Sequence, residues 1–180
     1  EYPPEMDAFW KTKHMELAKK GWLHPTFPKQ YGGGGLSADH ETVLMEEFRN
    51  ARVVGHHADN TTLSTLLVWG TEDQKQRFLG PLLRGERTSH QKLTEPQSGS
   101  DQANVQVRAV KDGDDWLITG QNVFISTFKN VNWLSGQAMT DPDAPRHRNT
   151  GFFIIENPSP GLELREMNLL VGHRQKEVFM

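Results

Sequence analysis

Between residues 94 and 101 the chain reads Thr94-Glu95-Pro96-Gln97-Ser98-Gly99-Ser100-Asp101, three hydroxyls set around a proline and a glycine. Pro96 restricts the turn and Gly99 permits positive φ. Consecutive N–H groups around a Gly-Ser step can close into a concave nest for an anion such as a phosphate. The plainer and commoner use of such a stretch is a polar turn bonded to itself. A second stretch is Trp116-Leu117-Ile118-Thr119-Gly120-Gln121-Asn122-Val123-Phe124-Ile125-Ser126. An aromatic beside a small hydroxyl on a strand offers a ring system a flat face and one hydrogen-bond donor. The plainer reading there is an alternating core strand.

Other chemistries lack their residues. The glycine run at 32–35 is not followed by Gly-Lys-Ser/Thr, so it is no P-loop, and no GxGxxG follows a strand. That run reads as a flexible loop. His56-His57 with Asp59 is the best metal-like cluster, but neighbouring histidines at a helix start diverge and no HExxH spacing exists. No metal set is expected. GxSxG is absent, which leaves a Ser/His/Asp nucleophile unsupported. Glu46, Glu47 and Glu95 could act as bases, yet none has a marked partner. Glu46-Glu47 reads as one solvated and one interface charge. Zero cysteines exclude a thiolate zinc site, a disulfide scaffold and a cysteine nucleophile. A net charge of −3 lacks the basic excess of a nucleic-acid binder. The longest apolar runs, Thr65–Trp69 and Phe152–Ile155, are far short of a membrane span. Glu1-Tyr2-Pro3-Pro4-Glu5 has neither the basic nor the apolar region of a signal peptide.

Two kinds of element must carry these stretches. Met6–Lys20 has Met6, Phe9 and Trp10 at helical spacing and Gly21 as a C-cap. Ser37 is the expected N-cap of a helix to about Arg52. Ala58–Trp69 is an apolar helix expected to be buried. Thr71-Glu72-Asp73-Gln74 fits a capping box opening a short helix to about Leu79. The period then changes to two. Val105, Val107 and Ala109 alternate with Gln106 and Arg108, Asp112-Gly113-Asp114 is a turn, and Trp116 to Ile125 continues the β pattern. Val131–Met139, Gly151–Glu156 and Leu162–Met167 are further strands. The reading is α+β, with a helical domain over 1–87 followed by an antiparallel β-barrel-like domain over 88–180. Hydrophobic residues make up only 35% of the chain, so the core is expected to be thin. Such a chain suits burial against a cofactor, domain or subunit.

Together the segments resemble the acyl-CoA dehydrogenase family. Gly21-Trp22, Pro25, Phe27-Pro28-Lys29 and Tyr31-Gly32-Gly33 resemble its GW…P…(W/F)P…YGG stretch, and Glu46-Glu47-Phe48 its EE(L/F) helix. Gly70 to Lys75 with Arg77-Phe78-Leu79 resembles its GTeeQKqrfLp helix. Thr94-Glu95-Pro96 with Gly99-Ser100-Asp101 matches its TEPxxGSD signature. Trp116, Thr119-Gly120-Gln121 and Phe124-Ile125-Ser126 are similar to its W.itGqK.wiT/S stretch. Thr140 to Asp143, Pro160 to Glu163 and Glu177-Val178-Phe179 resemble the bacterial branch acting on steroid and terpenoid side chains.

The resemblance implies a helical domain, a β-barrel-like middle domain and a C-terminal helical bundle, the last absent here and the middle one incomplete. It implies FAD and oxidation of an acyl-CoA thioester to the trans-2-enoyl-CoA. By position, Gln91, Leu93 and Thr94 would line the isoalloxazine, with Thr94 bonded to its pyrimidine end. Gly99 and Ser100 would lie near the FAD phosphate, and Ser100 near the acyl-CoA as well. Phe124 and Ile125 would cover the ring face, and Ser126 would bond near N5. The family often has Tyr or Phe at Gln91, Trp at Phe124, Thr at Ser126 and Lys at Asn122. Its catalytic base lies in the C-terminal domain, so this stretch alone would be inactive and would hold FAD poorly.

The partners implied are an acyl-CoA, an electron-transfer flavoprotein and further subunits, in a homo-oligomer or a two-subunit hetero-oligomer. The location implied is the bacterial cytoplasm, or the mitochondrial matrix in a eukaryote. Three readings stay open: a dehydrogenase; an acyl-CoA oxidase or flavin monooxygenase on the same fold; and a non-catalytic partner subunit. Gln91, Asn122 and Phe124 favour the last. Thr94, Gly99, Ser100 and Ser126 argue against it.

Overall fold

A computed structural model describes residues 4–51, 60–126, 131–170 and 175–180. The chain divides into two compact units, Glu1–Thr88 and Ser89–Met180.

The first unit is helical. Helix α1 runs Pro4–Lys19, α2 Ala38–Asn50, α3 Asn60–Trp69 and α4 Glu72–Gln74. A π-helical turn, Lys75–Leu79, joins α4 to α5, Gly80–Leu83. The capping box before α4 forms in full. The Gln74 N–H donates to Thr71 Oγ1 at 3.2 Å and the Thr71 N–H to Gln74 Oε1 at 2.9 Å. Ser37 precedes α2 as expected, but its Oγ meets His40 Nδ1 at 2.8 Å and makes no cap bond to the backbone. The core of this unit holds Leu23, Tyr31, Leu63, Leu66, Leu79, Leu82 and Leu83. Helix α3 is buried along one side and emerges at its C-terminal end. Thr62, Leu63 and Leu66 are covered, whereas Val68 is exposed and Trp69 is 83% exposed.

The glycine run is not a loose loop. A Cβ at Gly33 would lie 2.2 Å from the Phe27 carbonyl oxygen, and one at Gly34 would lie 2.1 Å from that of Gly21. Backbone bonds from Gly34 to His24, Gly35 to Phe27 and Leu36 to Pro25 tie the segment down. Glycine is required there because two stretches of backbone touch.

The second unit is β. Its strands are β1 Ser89–Gln91, β2 Arg108–Asp112, β3 Asp115–Thr119, β4 Gln121–Ser126, β5 Trp133–Met139, β6 Thr150–Glu156, β7 Glu163–Glu166 and β8 Gln175–Phe179. They form a five-stranded sheet centred on β5 and a three-stranded sheet in the order β4-β8-β7. Strand β6 covers one edge of β5 along its whole length. The other edge is shared: β1 pairs with Trp133 to Ser135, and Arg108 of β2 with Met139. Both of these pairings are parallel, so the unit is not wholly antiparallel. The described strands do not close into a single ring. Strands β2 and β3 are a hairpin across Gly113-Asp114, at the expected turn.

Two apolar clusters fill this unit. One holds Val105, Val107, Ala109 and Ala138; the other holds Ile125, Val131, Leu134 and Val178, and Met180 packs on both. The inward-facing Val105, Val107 and Ala109 are the alternation read from the sequence.

Candidate functional site

The site is built where two strands from different sheets run side by side. The ring N–H of His90, at Nδ1, donates to the Ser126 carbonyl at 2.7 Å. The Val123 N–H donates to the Thr94 carbonyl at 2.9 Å. Residues 90–94 therefore lie beside 122–126 in the opposite direction. Gln91, Leu93 and Thr94 thereby come next to Phe124, Ile125 and Ser126. Gln91, Phe124 and Ser126 are exposed, and Leu93 and Thr94 are half-buried.

A bulge in β4 sets the aim of Phe124. Asn122 stands opposite Val178 and Ile125 opposite Lys176, so Val123 and Phe124 together face the single residue Glu177. Phe124 adopts φ +57, the left-handed region, at a cost of roughly 1–2 kcal/mol for a residue with a Cβ. Bulges redirect side chains in this way. Phe124 is left 52% exposed between the buried Val123 and Ile125. Ile125 is the residue expected to cover a ring face together with Phe124. The residue is 3% exposed and packs with Val131, Leu134 and Val178.

The 94–101 stretch is both a turn bonded to itself and an exposed tip. Glu95 is buried, and its carboxylate accepts from the Gln106 N–H at 2.6 Å and the Val107 N–H at 3.1 Å. It is thus committed to the backbone and is not a free base. Glu95 and Ser98 exchange backbone bonds, and Ser98 Oγ donates to the Asp101 carbonyl at 2.6 Å. The Gln102 amide donates to the Gly99 carbonyl, and Arg146 pairs with the Asp101 carboxylate. Gly99 and Ser100 stay exposed on this anchored turn, with nothing within 4 Å of where a Gly99 Cβ would be.

The sequence reading missed Lys92 and His90. Lys92 is fully buried, its Nζ 3.4 Å from Asn122 Oδ1. Asn122 Nδ2 in turn donates to the Thr94 carbonyl at 3.2 Å. Burial pushes the Lys92 ammonium down to about 8, against the opposing pull of the Glu95 charge. No pattern marks either residue, because a lysine between Gln91 and Leu93 reads as a surface charge. Among the described residues no group of three or more His, Asp or Glu could hold a metal, and no helix is long and apolar enough to cross a membrane. His56, His57 and Asp59 lie outside the described residues.

The donor set suits a flat, conjugated, partly anionic group. It has one outward aromatic face at Phe124, hydroxyls at Thr94 and Ser126, an amide at Gln91, and an open glycine-serine tip at 99–100. Comparison with known proteins gives matching results. Residues 1–86 match the family model described as acyl-CoA dehydrogenase, N-terminal domain, and residues 91–179 match the middle domain of the same family. The chain is 34% identical over 174 residues to Acyl-CoA dehydrogenase FadE34 of Mycobacterium tuberculosis, covering 93% of this chain and 24% of that protein. It superposes on the solved structure named Tcur3481-Tcur3483 steroid ACAD with TM-score 0.80 and 30% identity, covering 94% of this chain and 44% of that one. The ChsE4-ChsE5 complex from Mycobacterium tuberculosis aligns with TM-score 0.81 and 25% identity over 98% of this chain and 48% of that one. The chain thus spans between a quarter and about half of the length of these relatives.

Proposed function

The chain belongs to the acyl-CoA dehydrogenase family, and on that premise we propose that it forms the flavin-facing part of an enzyme that desaturates an acyl-CoA thioester. The observation that carries this reading is the pairing of 90–94 with 122–126, which gathers Thr94, Phe124 and Ser126 beside one another. When bound, FAD supplies the hydride acceptor for oxidation of the thioester between its α and β carbons. Phe124 offers the apolar face against which a ring can lie. The Ser126 hydroxyl donates a hydrogen bond toward the ring edge near N5, which favours the reduced form. The Thr94 hydroxyl would bond the pyrimidine end, with Gln91 and Leu93 lining the isoalloxazine beside it. The exposed Gly99 and Ser100 would receive phosphate oxygens, with Ser100 also toward the acyl-CoA. None of these residues is a base for the α-proton, so the full protein supplies that group from elsewhere.

The finer assignments follow the relatives. The likeness to the steroid ACAD supports a bulky polycyclic acyl-CoA as substrate. The likeness to ChsE4-ChsE5 supports assembly from two kinds of chain, and the likeness to a solved structure named as an electron transferring flavoprotein of Acidaminococcus fermentans supports such a flavoprotein as the electron partner. The reading places the enzyme in the bacterial cytoplasm.

The test uses the full-length protein. It should purify yellow and lose its visible flavin band when acyl-CoAs, including steroid side-chain thioesters, are added without oxygen. A yellow protein that no acyl-CoA bleaches would move the reading to an oxidase or monooxygenase on this fold. A colourless protein that takes up no FAD would move it to a non-catalytic partner subunit, the reading that Gln91, Asn122 and Phe124 favour.

A further inference from the structure

A fully buried ammonium is costly, and proteins keep one where it is fixed by partners. Lys92 has no exposed surface, and the unit is shaped to admit it. Its N–H donates to the Ser135 carbonyl at 2.7 Å. A Cβ at Gly136 would lie 2.1 Å from the Lys92 carbonyl oxygen and 3.0 Å from Lys92 Cγ, so the strand opposite must be bare at that point. Lysine can only donate. With Nζ 3.4 Å from Asn122 Oδ1, it fixes which way the Asn122 amide faces, and Nδ2 must then point to the Thr94 carbonyl, 3.2 Å away. That carbonyl also takes the Val123 N–H, so both of its lone pairs are filled from β4. Without the ammonium, Asn122 Oδ1 loses that donor inside the unit, and the Thr94 carbonyl alone is left to orient the amide.

We propose that Lys92 is a positioning residue: acting through the side-chain amide of Asn122, it locks the Thr94 backbone to β4 and so sets the spacing of the two segments that receive the flavin. This rests on the flavin reading above. Stability alone does not account for the lysine, because a buried charge replaced by an apolar chain of like length is often neutral or stabilising. The departure at Asn122, which the sequence marked only as a missing lysine, thereby has a role, with the ammonium entering from the neighbouring segment.

The test compares Lys92→Met and Asn122→Asp with the wild type in the full-length protein. Lys92→Met removes the donor at constant length. Asn122→Asp keeps a partner for Lys92 and puts a carboxylate oxygen in place of the donor to Thr94. FAD is the probe, titrated into apoprotein, and amide hydrogen exchange at Val123 is followed in the apoprotein without it. Both variants should melt within a few degrees of the wild type or above it, bind FAD at least ten-fold more weakly, and exchange the Val123 amide at least ten-fold faster. Wild-type FAD affinity and Val123 protection in Lys92→Met would overturn the proposal. Should Lys92→Met not fold, the same result in Asn122→Asp would overturn it. A wild-type protein that takes up no FAD would defeat the flavin reading, while Val123 exchange would still decide whether Lys92 locks Thr94.

Discussion

Phe124 holds two roles that pull in opposite directions. Its φ of +57 strains the backbone, and its half-exposed ring contributes little burial to the fold. Strain of this kind persists where surrounding structure enforces it, often at sites of function. Replacing Phe124 with Gly removes the strain but adds about 0.5–1 kcal/mol of unfolded-chain entropy. Phe124→Gly should therefore stay within about 1 kcal/mol of wild-type stability while weakening FAD binding. Phe124→Val, β-branched at positive φ, should cost roughly 1–3 kcal/mol. Denaturant unfolding and FAD titration of the full-length variants check both. Equal stability for Gly and Val would show that the bulge does not enforce the conformation. The role proposed for Phe124 rests on a local signal, an aromatic two residues from a serine on a β pattern. Its bulge was not legible in the sequence, since a register shift depends on the partner strand β8. Lys92 was not legible either, because burial of a charge is decided by what packs over it. Nor was the role of Glu95, whose two N–H partners come from residues 106 and 107.

Among the elements, those closed by neighbours in sequence were readable. The Thr71–Gln74 capping box and the Asp112–Asp115 hairpin turn are set by residues within one turn of each other. Strands β1 and β8 were not read as strands. Ser-His-Gln is too short and Gln-Lys-Glu-Val-Phe too polar to stand out, and each owes its form to pairing with a distant strand. The glycine-rich segment misled in the other direction. Read as flexible, it is a tight turn, and its packing buries His24 with the ring edge-on to Phe27 at 5.7 Å.

Burial, with a smaller push from His14, lowers the His24 imidazole to about 4 from 6.5. Between these values the unfolded chain binds a proton that the folded chain refuses, so stability rises with pH across that window. The contribution is complete above pH 6.5 and is lost as pH falls toward 4, to the order of 3 kcal/mol. His24→Leu should flatten the wild-type loss of stability between pH 6.5 and 4, measured by denaturant unfolding at several pH values. An unchanged slope would show that His24 takes up its proton without unfolding.

At the scale of the whole chain, the change from helical to two-residue period marks two units with separate cores. The thin core expected from composition has its counterpart in Val43, Val68, Trp69, Val110 and Leu117, large apolar side chains left exposed. Period and composition are summed over many residues, so they survive errors at any one of them. Pairing order does not. That β5 lends one edge to both β1 and β2 follows from long-range closure, which no local pattern encodes.

The shared edge of β5 also bears on how the chain folds. The β2–β3 hairpin closes through two residues and forms on a timescale of about 1–10 μs. β1 must instead find Trp133 to Ser135 across all the intervening chain, and long closures are slow because their entropy is spent before any contact repays it. Since β1 leads directly into Lys92 and Thr94, the surface offered to a flavin is completed late. In pulse-labelled exchange during refolding, the hairpin amides should gain protection first, and those of Lys92 and Val123 last. Simultaneous protection would mean a single concerted step. A nascent chain that follows this order has no cofactor surface until strands far apart in sequence have met, so the cofactor cannot template the fold that receives it.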